Sequence, residues 1–275
     1  MRQTLAFAVL LVVLSCQAAR AETLTLATTT STQDTGLLDV VAPAFKKDTG
    51  IDLKWVAVGT GKALELGKNC DADVLLVHAP SAEEQYVAAG YAIRRHQFMY
   101  NDFVLVGPPA DPAGIRGKSV AEALAAIAVQ KAPFVSRGDE SGTHKAEKEL
   151  WQTAGLAVPG AAAGQDAWYI QSGQGMMATL TMAFEKKAYT LADRGTYIKF
   201  AASDRGQGLA VLLEGDPHLR NVYAAMMVNP DKCPSVKTEA AEKFVAWWSS
   251  PGAEALIRGF KLEGKPLFFL LSDEK

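Results

Sequence analysis

A chain of 275 residues, 49% hydrophobic and 21% charged, is long enough for two packed lobes and too apolar to remain disordered. Its 28 Lys and Arg against 30 Asp and Glu give a net charge of -2, so it lacks the basic footprint of a nucleic-acid binder and no nucleic-acid partner is expected.

The first segment reads as a secretory signal peptide over residues 1–21: a basic start at Met1-Arg2, an unbroken apolar run from Leu5 to Leu14, and a cleavage site at Ala19-Arg20-Ala21. The run falls short of the roughly 20 apolar residues a membrane span needs, and no later stretch approaches that length. An exported, soluble protein starting at Glu22 is expected. Val13-Leu14-Ser15-Cys16 also resembles a lipoprotein signal, which leaves a lipid anchor at Cys16 as the alternative. Cleavage after Ala21 removes Cys16 and leaves Cys70 and Cys233. In an oxidising compartment that pair predicts a disulfide, with two separate buried thiols as the other reading.

From Thr23 the pattern is strand, hydroxyl-rich loop (Thr28 to Thr32), then a helix with Leu37, Leu38, Val41 and Phe45 at helical spacing and Gly50 as its stop. Ile51 to Val58 predicts a second strand, and Gly59-Thr60-Gly61 turns into a helix beginning near Lys62. Ala72 to Val77 suits a buried parallel strand, and Ser81 is placed to cap the next helix, with Glu83 and Glu84 in its first turn. Alternation of this kind predicts an open, mostly parallel α/β sheet.

A second core repeats the pattern, with helices over Val120 to Ala128, Ser141 to Ala154 and Met176 to Lys186 and strands at Pro133 to Ser136 and Ala188 to Leu191; Asp193 to Phe200 continues it. A strand over Val222 to Val228 and a helix over Ala240 to Trp248 close the chain, followed by Pro251-Gly252. No linker marks a clean cut. Two lobes joined by crossing strands near Asn101 to Val106 and Asn221 to Val228 account for this better than consecutive domains.

Three loops place small or hydroxyl residues between a strand end and a helix start: Thr28 to Ser31, Gly59 to Gly61, and Arg137 to Thr143. Helix N-termini carry unpaired N–H groups, so each is a candidate anion site, and three together would form a cage of donors. Gly59-Thr60-Gly61-Lys62 is not a nucleotide-phosphate loop, because Val56 stands where Gly is needed and Ala63 where Ser or Thr is needed. Lys62 reads as a solvated helix residue. In the third loop Arg137 offers a planar donor fork, Ser141 and Thr143 offer hydroxyls, and Gly142 allows close backbone approach. Asp139 would repel an anion if it pointed inward, and is assigned to holding the guanidinium.

Asp139, Ser141 and His144 lie too close together for a catalytic triad and no Gly-x-Ser-x-Gly elbow occurs, so a secreted hydrolase using Ser141 is the weaker alternative. His144 reads as a packing residue. None of the four histidines pairs with Cys or a carboxylate at zinc spacing, so neither a bound metal nor a cofactor is expected.

Thr28-Thr29-Thr30-Ser31, Val58-Gly59-Thr60-Gly61, Asp73 to His78, Tyr100-Asn101-Asp102-Phe103 and Ser136-Arg137-Gly138-Asp139 with Ser141-Gly142-Thr143-His144 together resemble the tungstate-binding periplasmic component of ABC transporters. That family sits within the wider set of molybdate-, sulfate- and phosphate-binding proteins. The resemblance covers essentially all of the chain after the leader. It implies a bilobed periplasmic-binding-protein-like α/β fold, with lobe one over residues 22–102 plus 223–275 and lobe two over residues 103–222. It also implies a monomer without enzymatic activity that passes a tetrahedral oxyanion, tungstate or molybdate, to a permease in the inner membrane. The implied ligand residues are Thr29, Thr30, Ser31, Gly59, Thr60, Gly61, Arg137, Ser141, Gly142 and Thr143, supported by Asp139 and His78. Phosphate keeps a proton near pH 7 and rewards a carboxylate acceptor, whereas tungstate, molybdate and sulfate want donors only. His78, standing where phosphate binders carry an acid, weighs against phosphate. Sulfate or phosphate binding on the same fold remains the alternative within the class.

Overall fold

The computed structural model describes residues 22–160 and 167–274; the expected leader over residues 1–21, with Cys16, lies outside them. Through the first core the chain runs β1 (Thr23–Thr29), α1 (Thr30–Asp34), α2 (Leu37–Thr49), β2 (Asp52–Val58), α3 (Thr60–Lys68), β3 (Val74–Val77) and α4 (Pro80–Ala88). A sixteen-residue strand, β4 (Ala92–Gly107), carries it into the second core. There follow α5 (Val120–Gln130), β5 (Phe134–Ser136), α6 (Gly142–Thr153), β6 (Tyr169–Gln171), α7 (Met176–Lys186), β7 (Thr190–Asp193), α8 (Arg194–Ala201) and β8 (Ala210–Leu213). The chain returns through β9 (Arg220–Val228) to α9 (Thr238–Trp247), α10 (Pro251–Gly259) and the short strands β10 (Lys261–Leu262), β11 (Lys265–Pro266) and β12 (Phe269–Leu270).

Helix α2 forms for the reason its spacing gives: Leu37, Leu38, Val41 and Phe45 are buried along one face. Gly50 ends it in the left-handed conformation (φ 76°), its N–H returning to the Lys46 carbonyl. Two local expectations need correction. The hydroxyl run is not a loop, because β1 continues to Thr29 and α1 begins at Thr30, with the Thr29 hydroxyl accepting the Thr32 N–H. Ser81 does not cap α4. Pro80 takes the first helical position, where its missing N–H costs nothing, and Glu83 reaches back to the N–H of Ala79 (2.7 Å). Pro251-Gly252 opens a further helix, α10, with the Ser250 hydroxyl accepting the Ala253 N–H.

The main sheet has the order β12-β4-β9-β3-β1-β2, with β7 and β8 paired to the far part of β4. It is mixed, not mostly parallel. β1 runs parallel to β2 and β3, but β4 pairs antiparallel with β7, β8, β9 and β12, and β9 antiparallel with β3. The crossing causes this: β4 leaves the first core and β9 comes back beside it, so the two must run in opposite directions.

Apolar side chains collect in separate clusters. One is drawn from residues 24–99 and 223–270 with Ile198 of α8 added, and includes Phe45, Phe244 and Trp248. Two others come from residues 103–219, around Phe134, Trp151 and Tyr189 and around Val135, Leu180 and Phe200. The fold is bilobed α/β, with β4 and β9 shared. Cys70 and Cys233 are joined in a disulfide, Cα–Cα 5.4 Å, tying the turn after α3 to the segment after β9. No described helix is long and apolar enough to cross a membrane.

Candidate anion site

The three strand-to-helix junctions meet at one cavity of about 370 Å³. Thr29, Thr30, Ser31, Gly59, Thr60 and Gly61 line it from the first lobe, and Arg137, Asp139, Ser141, Gly142 and Thr143 from the second. Residues scattered over more than a hundred positions are thus brought together, because β1 and β2 are parallel neighbours whose C-terminal ends, Thr29 and Val58, stand in register. The N-termini of α3 and α6 open at the cavity, and their free N–H groups favour negative charge there. Across the gap the walls nearly touch: a Cβ built on Gly142 would lie 3.3 Å from His78 Cε1 and 3.5 Å from Thr60 Oγ1. Gly138 is required more strictly, since its φ is +61° and a Cβ would fall 2.7 Å from Gln171 Cβ.

Arg137 is the one guanidinium on the cavity wall, its side chain 14% exposed. One terminal nitrogen, Nη2, donates to Asp139 Oδ2, while Nε is buried without a partner. Asp139 Oδ1 accepts the N–H of Ser141 at 3.2 Å. Burial pushes the Asp139 carboxyl up, but the Ser141 hydroxyl and the Arg137 charge more than offset this and hold it below the usual carboxylate range. Asp139 is therefore ionised and turned toward Arg137 and the loop backbone.

Val58, Lys62 and Glu140 also line the cavity. Lys62 pairs with Glu65 (2.9 Å) and Glu140 with Lys148 (2.8 and 3.0 Å), so both charges have partners outside it. Ser141 caps α6, its hydroxyl accepting the His144 N–H (3.3 Å), and His144 Nδ1 accepts the N–H of Glu140 (3.1 Å). His144 is buried and held below the ordinary imidazole range by desolvation, aided by nearby Lys148. It packs and caps, and does not face Ser141 Oγ as a base.

His78 does not line the cavity. It lines a neighbouring cavity that shares Gly142, its Nε2 3.0 Å from Thr29 Oγ1 and 3.1 Å from Ser31 Oγ, and its Nδ1 2.9 Å from Asn221 Oδ1. Asn221 Nδ2 in turn donates to Asn101 Oδ1 (2.6 Å). Glu83 braces the following turn through the Ala79 N–H and is itself paired with Arg95 (2.8 Å). In the sequence Asn101 and Asn221 only marked the crossing strands, and Glu83 was only a first-turn charge. The available signal was an amide inside each crossing strand: a buried amide needs a partner, and these two are each other's.

Residues 17–251 match the family model described as a PBP superfamily domain. The chain belongs to this superfamily and, within it, to the family of the tungstate-binding proteins. It is 48% identical to the tungstate-binding protein TupA of Peptoclostridium acidaminophilum, over 88% of this chain and 84% of that one. It is 44% identical to that of Campylobacter jejuni, over 87% and 88%. The solved tungstate-binding protein TupA from Desulfovibrio alaskensis G20 superposes with a TM-score of 0.83 at 56% identity, covering 91% of this chain and 99% of that one.

Proposed function

We propose that the chain is an exported, monomeric solute-binding protein that holds one tetrahedral oxyanion, tungstate or the nearly isosteric molybdate, between its lobes and delivers it to the permease of an ABC transporter. The observation that carries this reading is the Arg137 guanidinium, not all of whose donors are paired, on a wall of hydroxyls and helix N-termini whose other charges, Lys62, Asp139 and Glu140, already have partners. A guanidinium whose donors are not all paired is costly to hold at a buried wall, and an oxyanion in the cavity offers it acceptors. The two carboxylates on the wall, Asp139 and Glu140, already accept from Arg137 and Lys148, so a protonated anion such as hydrogenphosphate finds its acceptors occupied. The names carried by the relatives support the same ligand.

On this reading the ligand set is Thr29, Thr30, Ser31, Gly59, Thr60, Gly61, Arg137, Ser141, Gly142 and Thr143. Lobe one spans residues 22–102 plus 223–275, lobe two spans residues 103–222, and residues 1–21 direct export to the periplasm. The hydrolase alternative loses support because His144 Nδ1 already accepts a backbone N–H. Calorimetric titration with tungstate, molybdate, sulfate and phosphate tests the proposal. It expects one tungstate or molybdate bound per chain, and far weaker phosphate. Absence of heat with all four anions, or preference for phosphate, would overturn it.

A further inference from the structure

His78 is 6% exposed and clamped on two sides: its ring stacks on Tyr223 at 4.6 Å, and Gly142 closes over Cε1. Its hydrogen bonds are directional. Asn221 Oδ1 is a carbonyl oxygen and only accepts, so the proton on the ring sits at Nδ1. Burial pushes the ring below the ordinary imidazole range and outweighs the Asn221 contact that favours the charged form, so the ring is neutral and Nε2 is a bare acceptor. Thr29 and Ser31 must then be the donors to Nε2.

Thr29 Oγ1 accepts the Thr32 N–H at 3.1 Å and also lies 2.7 Å from Thr32 Oγ1; with the Thr32 hydroxyl donating to it, its own single proton goes to the ring. Ser31 Oγ, also within reach of Nε2, lines the cavity. With Thr29 satisfying Nε2, the Ser31 proton is free to point at an anion. Without an anion, Ser31 can share the same acceptor and is not orphaned. The Asn221 amide that fixes the ring is fixed in turn by Asn101, directly opposite it in the β4–β9 ladder, and both amides are buried. These two strands are the connections between the lobes.

Resting on the oxyanion reading above, we propose that His78 is a positioning residue: held as its Nδ1–H tautomer by the Asn101–Asn221 pair bridging the crossing strands, it takes the Thr29 hydroxyl proton at Nε2 and so leaves the Ser31 proton for the anion. The state of the inter-lobe strands and the readiness of the first wall are thereby linked through one ring. Preorganised donors bind more tightly because less ordering remains for the ligand to impose.

The test is tungstate titration of the wild type and four variants, with the ring tautomer read by nitrogen NMR. His78→Ala should weaken binding about tenfold, the loss of one oriented hydrogen bond. His78→Gln, which can place an oxygen where Nε2 was, should restore most of the affinity. His78→Asn, which reaches only the Nδ1 position, should not. Asn101→Ala, which touches no cavity group, should still weaken binding about threefold. The wild-type ring should give the neutral Nδ1–H signature. Unchanged affinity in His78→Ala, equal affinities for the Gln and Asn variants, or an Nε2–H ring in the wild type would overturn the proposal. Should His78→Ala fail to fold, Asn101→Ala and the tautomer decide. Failure of the wild type to bind tungstate would strike the oxyanion reading instead, and the tautomer would still report on the ring.

Discussion

The first lobe meets the cavity with neutral hydroxyls, Thr29, Thr30, Ser31 and Thr60 with glycine backbone beside them, its one charge, Lys62, being paired with Glu65, whereas the second meets it with a guanidinium, two carboxylates and two hydroxyls. The walls also differ in what stands behind them. Thr29 and Ser31 are backed by a neutral imidazole and a chain of amides; Arg137 is backed by an ionised aspartate. A guanidinium carries its charge wherever it is placed and needs only to be aimed. A hydroxyl donates or accepts according to its neighbours, so the neutral wall needs a deeper supporting network. The charged wall should thus supply most of the attraction for a dianion and the neutral wall its orientation.

The largest effect is expected at Arg137. Replacing it with Ala removes the only guanidinium on the wall and should cost about 2 to 5 kcal/mol of oxyanion affinity, a loss of thirtyfold or more on the corresponding scale. Arg137→Lys keeps the charge without the fork and should recover only part. Calorimetry on both variants measures this, and an unaffected Ala variant would place the anion elsewhere.

The lobes also differ in cross-linking, since the Cys70–Cys233 bond lies wholly within the first. It closes a loop of 163 residues, so its removal should lower stability by about 2 to 4 kcal/mol. Melting of a Cys70→Ser, Cys233→Ser double variant checks the magnitude. Thiol titration of the unfolded, unreduced wild type should find both residues blocked.

Ser31→Ala and Thr60→Val each delete one neutral donor and should each weaken binding by about 0.5 to 1.5 kcal/mol, well below the Arg137 effect. A loss at either that equals the Arg137 loss would erase the distinction between the walls.

The smallest effect concerns Asp139. Its folded carboxyl titrates below the unfolded value, so its contribution to stability is present above the ordinary aspartate range and is lost as pH falls through the depressed folded value. The stability difference between wild type and Asp139→Asn should be modest, because the pair is partly exposed, and should shrink below about pH 4. A difference that grew toward acid pH would mean that the carboxylate is not paired in the folded state.

Much of the site was readable from residue types, because a strand ending in hydroxyls or glycines before a helix can be recognised locally. Each of the three junctions was identified this way, and the parallel pairing of β1 with β2 then brings two of them side by side. The sheet was less readable. Strand periodicity reports burial, not direction, so a crossing strand near Asn101 to Val106 was readable while the antiparallel pairing and sixteen-residue span of β4 were not. Glu83 was assigned to a first turn as a charge near a helix start, and its role as the partner of Arg95 depends on a residue twelve positions away. The Asn101–Asn221 pair is separated by 120 residues and exists only because the crossing strands run antiparallel.

The central claim is that one oxyanion sits between these unlike walls, and crystals grown with tungstate test it most directly through anomalous scattering from tungsten. The account predicts a single strong peak per chain in the cavity, within hydrogen-bond reach of Arg137 and Thr143 on one side and of Ser31 and Thr60 on the other. A peak outside that cavity, or none in crystals of protein that binds tungstate in solution, would contradict it.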